Sequence, residues 1–208
     1  MPTNEETRLA YVRDEIAFLS SEDCFQGWVN GLREHVDRLH NLMALVKELQ
    51  PESILDVGCQ KGFTGALFRW QRGWAPKRIV GVEWNEVSAL HAEQVCWYDK
   101  VHVLDAVVPF DLGERFDLVI CTELLEHVPD MQAVVDNCAK HSAHFALFST
   151  PEEQGAVDGV FHVRHVSADD LFGLVQTRFT VARKWFCPSE FGEKPRWQGW
   201  NFVLGEIR

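Results

Sequence analysis

The sequence lacks several features that would assign it to a specialised class. No apolar run reaches the roughly 20 residues of a membrane-spanning helix, and residues 1–6 contain neither the basic region nor the apolar region of a secretory signal. Its six cysteines form no C-x-x-C pair, which argues against a zinc knuckle and a disulfide framework and favours free buried thiols. We therefore expect a cytoplasmic protein with no membrane partner.

Clustered basic residues are also absent. The chain has 208 residues, with 20 Lys and Arg against 31 Asp and Glu, and its net charge of −11 is spread along the sequence. The nearest approach to a basic cluster, Arg178 with Arg183 and Lys184, is short and interrupted. Because polyanion binding depends on clustered Lys and Arg, this pattern argues against a nucleic-acid partner.

The periodicity of apolar residues predicts helices first and then an alternating chain. Steps of three and four predict helices over Leu9–Leu19 and Trp28–Leu49, the second ended by Pro51 and packed on the edge of a sheet. Alternating strands and helices then predict a parallel sheet covered on both faces. The predicted strands are 54–57, 78–83, 101–104, 116–121, 143–149, 179–186 and 201–207, with helices at 63–72, 86–94, 130–140 and 168–176, and the connection 187–200 as a loop.

A glycine turn follows the first strand. Asp56 ends the strand, and Gly58 and Gly62 allow the backbone to turn tightly and approach a ligand. A dinucleotide fingerprint would need glycine at position 60, where the sequence has Gln60, so an NAD-dependent oxidoreductase is disfavoured. The turn therefore predicts a nucleotide-type ligand without a pyrophosphate.

Two further strands also end in acids. Glu83 follows Asp56 by 27 residues and ends the second strand, and Asp105 ends the third. A carboxylate in the position of Glu83 can accept hydrogen bonds from both hydroxyls of a ribose. Because ligands of such sheets bind at the carboxyl ends of the strands, all three acids are expected to line one crevice.

These motifs, with the fourth strand 116–120 and the segment 121–130 after it, occur in an order that resembles the class I S-adenosylmethionine-dependent methyltransferases. The resemblance covers about residues 50–175. It implies an α/β fold, a Rossmann-like, doubly wound, mostly parallel seven-stranded sheet with an antiparallel last strand and added N-terminal helices. It implies a helical extension or cap at 1–50, an S-adenosylmethionine-binding domain at 51–208, and methyl transfer to a small molecule or glycan-type metabolite, chiefly at oxygen.

The resemblance also implies cofactor contacts. Glu83 would bind the ribose hydroxyls, Asp105 and the backbone N–H of Ala106 the adenine, and Asp56 the ammonium group of the methionine portion. Gln60 departs from the family, which usually has glycine there. The implied cofactor-binding residues are Asp56, Gly58, Cys59, Gly62, Glu83, Asp105, Ala106 and Glu123.

Glu123, Glu126 and His127 form an E-x-x-E-H motif whose spacing predicts one face of a helical turn. The motif is similar to that of ubiquinone-pathway O-methyltransferases and of small-RNA 3′-end 2′-O-methyltransferases, in which it supports magnesium. With His162 as a fourth ligand, this resemblance implies a site for Mg²⁺ or Mn²⁺. The alternative is a general base, His127 first and then His162 or His165.

Two other functions fit parts of this pattern. The E-x-x-E-H motif with His162 invites RNA 2′-O-methylation, which the acidity of the chain opposes. A non-catalytic domain that binds S-adenosylmethionine or a protein partner is the second alternative. The three acids at strand ends argue against it, because such a domain has no need of ligand-facing carboxylates.

Overall fold

The computed structural model describes residues 13, 24–71, 73–95, 98–153, 162–189 and 197–208. The helix predicted at 9–19 lies outside the described residues, except for Arg13. None of the described helices has the length and hydropathy needed to cross a bilayer. The helices are α1 (Cys24–Leu49), α2 (Phe63–Arg69), α3 (Glu86–Val95), α4 (Met131–His141) and α5 (Ala168–Gln176), with a 3₁₀ turn at Leu125–His127. The strands are β1 (Ser53–Val57), β2 (Arg78–Glu83), β3 (Lys100–Val103), β4 (Phe116–Thr122), β5 (Ser142–Glu153), β6 (Phe179–Pro188) and β7 (Trp197–Ile207).

The seven strands form one sheet in the order β3-β2-β1-β4-β5-β7-β6. Strands β1 to β5 pair in parallel, and β7 runs antiparallel to both of its neighbours, β5 and β6. This topology confirms the predicted fold. The chain leaves β1 toward β2 on one side and reaches β4 on the other, so a crevice opens at the carboxyl ends of β1 and β4.

Two apolar layers cover the faces of the sheet. Leu42 and Val46 of α1, Phe68 of α2 and Ala92 of α3 pack on one face, and Val134 of α4 with Leu171 of α5 belongs to the other. Because side chains alternate along a strand, Ile54 and Asp56 face the α1 side and Leu55 and Val57 the α4 side. Four cysteines, Cys59, Cys121, Cys138 and Cys187, are free and buried, as predicted.

Helix α1 covers a sheet face, which differs from the predicted packing on the sheet edge alone. Leu42, Leu45 and Val46 are fully or almost fully buried in the core. The helix also reaches the edge strand, where Arg183 of β6 pairs with Glu48 at 2.7 Å. This position brings one side of α1 over the carboxyl end of the sheet.

The predicted loop 187–200 is wrong at both ends. Cys187 pairs with Trp200 and Pro188 with Gly199, so the β6–β7 ladder continues beyond the predicted strands. The sequence concealed this because proline and glycine usually interrupt strands. Pro188 is tolerated because β6 is an edge strand, where one side of the backbone needs no ladder hydrogen bond.

Candidate active site

The turn after β1 has an unusual backbone. Gly58, Gln60 and Gly62 have φ of 80°, 48° and 83°. This left-handed region costs an L-residue about 1–2 kcal/mol, which explains why glycine is usual in the family at the position of Gln60. The N–H of Gln60 donates to Glu83 Oε2 at 3.0 Å. The carboxylate of Glu83 therefore holds the turn in its strained form.

Glu83 is itself rigidly placed at the end of β2. Its side chain is buried, and Oε1 accepts the N–H of Asn85 at 2.8 Å. Asn85 in turn caps α3, because its Oδ1 accepts the N–H groups of Val87 and Ser88 at 2.9 and 3.1 Å. A carboxylate has about four acceptor positions, so Glu83 can hold the turn and still accept ribose hydroxyls.

Asp105 and Ala106 lie next to Glu83 across the sheet. The N–H of Leu104 donates to the carbonyl of Glu83 at 3.0 Å, which aligns the end of β3 with the end of β2. Asn137 of α4 donates to the carbonyl of Ala106 at 2.8 Å and so holds the loop that follows β3. The structure thus brings the predicted adenine and ribose residues to adjacent strand ends.

Asp56 is the next-to-last residue of β1 and is almost fully buried. The hydroxyl of Tyr98 donates to Asp56 Oδ2, and the same hydroxyl accepts the N–H of Gly65 at 3.0 Å. Burial raises the pKa of Asp56 to about 6, against the opposing effects of the Tyr98 hydrogen bond and the charge of Arg38. Sequence reasoning missed Tyr98, because nothing in its local pattern marks a residue before β3 as a partner of β1.

Arg38 is a second residue that the sequence did not reveal. It lies on α1 and is buried, and one guanidinium nitrogen donates to Thr122 Oγ1 at 3.1 Å. Its positive charge opposes the burial that raises the pKa of both Asp56 and Glu123. Its Nε is buried without a hydrogen-bond partner in the described part of the chain. The periodicity of α1 gave no signal for Arg38, because it separated apolar from polar positions only.

His35 lies one turn before Arg38 on α1. Burial and the charge of Arg38 lower the pKa of His35 to about 3. The imidazole is tilted against the indole of Trp200, with ring centroids 5.9 Å apart. His35 is therefore a neutral ring at physiological pH, packed where α1 meets β7.

Glu123 does not share a helical face with Glu126 and His127. It has φ of 56° and comes before the 3₁₀ turn begins, so its side chain leaves the backbone in another direction. Oε1 accepts the hydroxyl of Ser149 at 3.0 Å, and Oε2 accepts the indole N–H of Trp200 at 2.9 Å. Burial raises the pKa of Glu123. The predicted one-face arrangement is wrong for this residue.

Glu126, His127 and His162 do come together. One ligand atom from each lies within 4.8 Å of the others. Glu126 Oε1 is 3.8 Å from His127 Nε2, and the two imidazole rings meet edge to face with centroids 4.6 Å apart. The N–H of Val163 donates to the carbonyl of Glu126 at 2.9 Å and ties the segment after β5 to this turn. Glu126 is buried, and His127 is partly exposed.

His165 lies in a different polar group. Its Nε2 is 3.3 Å from Glu152 Oε1, and Asn201 donates to Glu152 Oε2 at 2.7 Å. Side chains alternate between the two faces along β5 and β7, and this alternation places Glu152 and Asn201 on the α4 side of the sheet. Glu123 and Trp200 lie on the α1 side. Of the three predicted catalytic histidines, the structure thus groups only His127 with His162.

A family model described as a methyltransferase domain matches residues 29–190. The chain belongs to this methyltransferase family. The predicted resemblance to class I S-adenosylmethionine-dependent methyltransferases is thereby confirmed. The matched segment contains the glycine turn, all three strand-end acids, Arg38 and the histidine pair.

Two similar proteins are ubiquinone biosynthesis O-methyltransferases. That of Psychrobacter arcticus is 35% identical over 96 residues, which cover 44% of this methyltransferase and 37% of that protein. That of Proteus mirabilis is 30% identical over 157 residues, covering 74% of this chain and 62% of that protein. This chain therefore spans less than two thirds of the length of either relative.

A similar solved structure is the N-methyltransferase NodS from Bradyrhizobium japonicum in complex with S-adenosyl-L-homocysteine. It has a TM-score of 0.72 and 17% sequence identity, covering 97% of this methyltransferase and 98% of that chain. At this identity the likeness establishes the fold alone.

Proposed function

We propose that this methyltransferase moves a methyl group from S-adenosylmethionine to an oxygen atom of a small molecule. The observation that carries the proposal is the row of acids at three adjacent strand ends, Asp56, Glu83 and Asp105, beside a turn that Glu83 holds in a strained form. The names of the ubiquinone biosynthesis relatives support an oxygen acceptor.

The cofactor would lie along this row. Glu83 would accept the ribose hydroxyls, and Asp105 and Ala106 would bind the adenine at the end of β3. Asp56 and Arg38 offer opposite charges on one side of the crevice, which suit the ammonium and carboxylate groups of the methionine portion. The methyl group would then lie near the end of β4, before the turn that contains His127.

The reaction asks little of the protein beyond alignment and removal of a proton. The sulfonium is already a good leaving group, so the acceptor oxygen attacks the methyl carbon as the carbon–sulfur bond breaks. Holding the two reactants in line is worth about 7 kcal/mol or more. His127 would take the acceptor proton, because its ring is partly exposed and Glu126, 3.8 Å away, would stabilise the resulting imidazolium.

The same three side chains also fit a divalent ion. The ligand atoms of Glu126, His127 and His162 are close enough to share one cation. One carboxylate with two imidazoles suits Mn²⁺ or Fe²⁺ better than Mg²⁺, which prefers oxygen ligands. An ion held there would supply Lewis acidity, lowering the pKa of a nearby hydroxyl. Glu123 lies outside this group, because its positive φ turns the carboxylate toward Ser149 and Trp200. We rank this metal site below the general base.

RNA 2′-O-methylation is the second candidate, favoured by the meeting of Glu126, His127 and His162. The net charge of −11 opposes it, since a polyanion would approach against the field of the whole chain. Submicromolar, salt-sensitive binding of a short single-stranded RNA would favour this candidate over a small molecule. A cytoplasmic location remains a prediction from the sequence.

One experiment tests the core of the proposal. The purified protein is denatured, and any released nucleoside is identified by mass spectrometry, while calorimetry measures binding of S-adenosylhomocysteine to the native protein. We expect micromolar binding and transfer of labelled methyl to a member of a panel of phenols, sugars and amines. A protein that binds neither S-adenosylmethionine nor S-adenosylhomocysteine would refute the proposal. Binding without transfer to any acceptor would favour the non-catalytic alternative.

A further inference from the structure

Tyr98 occupies a buried position that methyl transfer itself does not explain. Its side chain is 4% exposed and lies just before β3, while its hydroxyl reaches across β2 to Asp56 at the end of β1. The same hydroxyl accepts the N–H of Gly65 in the first turn of α2. One phenol therefore connects the strand-end acid with the helix that follows the glycine turn.

Two glycines make room for this ring. A Cβ at Gly65 would lie 2.2 Å from a Tyr98 ring carbon, and a Cβ at Gly81 would lie 2.6 Å from Cys59 Sγ and 3.2 Å from another Tyr98 ring carbon. Neither glycine has the positive φ that would require glycine for backbone reasons. Gly65 therefore leaves space for the phenol itself, and Gly81 leaves space for Cys59 and for the edge of the same ring, so the ring is bounded from two separate elements.

The hydroxyl also determines the state of Asp56. Burial and the neighbouring Asp56 raise the pKa of Tyr98 well above its ordinary value, so the phenol stays protonated and acts as the donor. Donation to Oδ2 favours the ionised carboxylate, and it fixes the rotation of the side chain. The carboxylate can then present its other oxygen in one direction.

We propose that Tyr98 is a positioning residue for the amino-acid end of the cofactor: through Asp56 it makes the site prefer ligands that carry an α-ammonium group. The preference would separate S-adenosylmethionine and S-adenosylhomocysteine from nucleosides that share only the adenosine and thioether portions. The inference rests on the proposed cofactor, and it adds a residue that touches neither the ligand nor the reacting atoms.

The test compares two ligands in the Tyr98→Phe variant by calorimetry. S-adenosylhomocysteine has the ammonium group, and 5′-methylthioadenosine lacks the whole amino-acid portion. Loss of a hydrogen bond to a charged acceptor should weaken S-adenosylhomocysteine about ten- to thirtyfold, and methylthioadenosine by less than about twofold. An equal loss for both ligands would mean that Tyr98 only supports the fold, and unchanged binding of both would also overturn the proposal.

A pH profile gives a readout that a purely structural role would not move. The titratable or charged groups acting on the Asp56–Tyr98 pair are Arg38 from α1, Cys59 from the turn and Cys121 from β4. Because burial raises the pKa of Asp56 to about 6, the affinity of the wild type for S-adenosylhomocysteine should fall as the pH drops through this value. In Tyr98→Phe the fall should begin at a higher pH, since the hydrogen bond that lowers this pKa is gone. Methylthioadenosine binding should stay flat, as should binding of both ligands to Asp56→Asn.

A second perturbation reaches Tyr98 from the opposite side. Gly65→Ala should displace the ring and reproduce the selective loss of S-adenosylhomocysteine affinity. Gly173→Ala is the matched control, because Gly173 also lies in a helix and a Cβ there would meet no atom within 4 Å. Selective loss in Gly65→Ala but not in Gly173→Ala supports the proposal, even if Tyr98→Phe does not fold. Failure of the wild type to bind either ligand would instead refute the proposed function.

Discussion

The carboxylate of Glu83 accepts two backbone N–H groups, and the cost of losing these hydrogen bonds can be estimated from its contacts. It accepts the N–H of Asn85 at 2.8 Å and the N–H of Gln60 at 3.0 Å while almost fully buried. Hydrogen bonds to a charged group are worth about 1.5–3 kcal/mol each, so Glu83→Ala removes about 3–6 kcal/mol before the freed N–H groups meet water. Because water can reach the turn, we expect a net loss of about 2–3 kcal/mol in the free energy of unfolding.

Cofactor binding should suffer more than stability. If Glu83 binds the ribose as proposed, the variant loses that acceptor as well as the anchor of the strained Gln60, so S-adenosylhomocysteine should bind at least about 100-fold more weakly. Urea unfolding and calorimetry measure the two effects. The control is Glu86→Ala, because Glu86 is also acidic, is exposed and lies in the first turn of α3. Wild-type affinity in Glu83→Ala would refute the assignment of the ribose site.

Three further outcomes follow from the geometry. His127→Ala should lower turnover about 10²- to 10⁴-fold with little change in S-adenosylhomocysteine affinity, and unchanged turnover would exclude it as the base. Chelators should leave the wild type active under the base model, whereas loss of activity restored by Mg²⁺ or Mn²⁺ would favour the metal site. The pKa of His35 is about 3 in the folded chain against an ordinary 6.5, so protonation favours the unfolded chain and stability falls as the pH drops below 6.5. Compared with His35→Phe, the wild type should lose about 1–2 kcal/mol more between pH 7 and pH 5 in urea unfolding, and parallel pH profiles would contradict this.

The strands of the sheet could be predicted from the sequence because a strand buried on both faces is a run of consecutive apolar residues. Strands such as β1 and β2 are buried on both faces and appear as short apolar runs, and each has an acid as its last or next-to-last residue, at the carboxyl edge of the sheet. Parallel connection then brings these ends together without any further information. The positions of Asp56, Glu83 and Asp105 at one edge therefore follow from local pattern and topology alone.

The remaining parts of the site depend on contacts between distant residues. Tyr98 meets Asp56 across 42 positions and Arg38 meets Thr122 across 84, and neither pairing leaves a periodic trace. Glu123 shows the complementary failure, because the E-x-x-E-H spacing assumed helical dihedrals. A left-handed φ at Glu123 sends its carboxylate to Ser149 and Trp200 instead. Residue spacing alone cannot reveal a single residue with positive φ, although such a residue changes the direction in which its side chain points.

Two acids of the crevice are harder to ionise than free carboxyl groups. Burial raises the pKa of both Asp56 and Glu123, and among the described residues Arg38 is the cation whose charge lowers both pKa values. S-adenosylmethionine has two positive groups and one negative group, so it would bring a net positive charge into this acidic crevice. Binding should therefore lower the pKa of Asp56 below about 6, and the associated proton release should increase as the pH approaches that value. Calorimetry in buffers of different ionisation enthalpy measures this release, and its absence near pH 6 would show that the ammonium group does not meet Asp56.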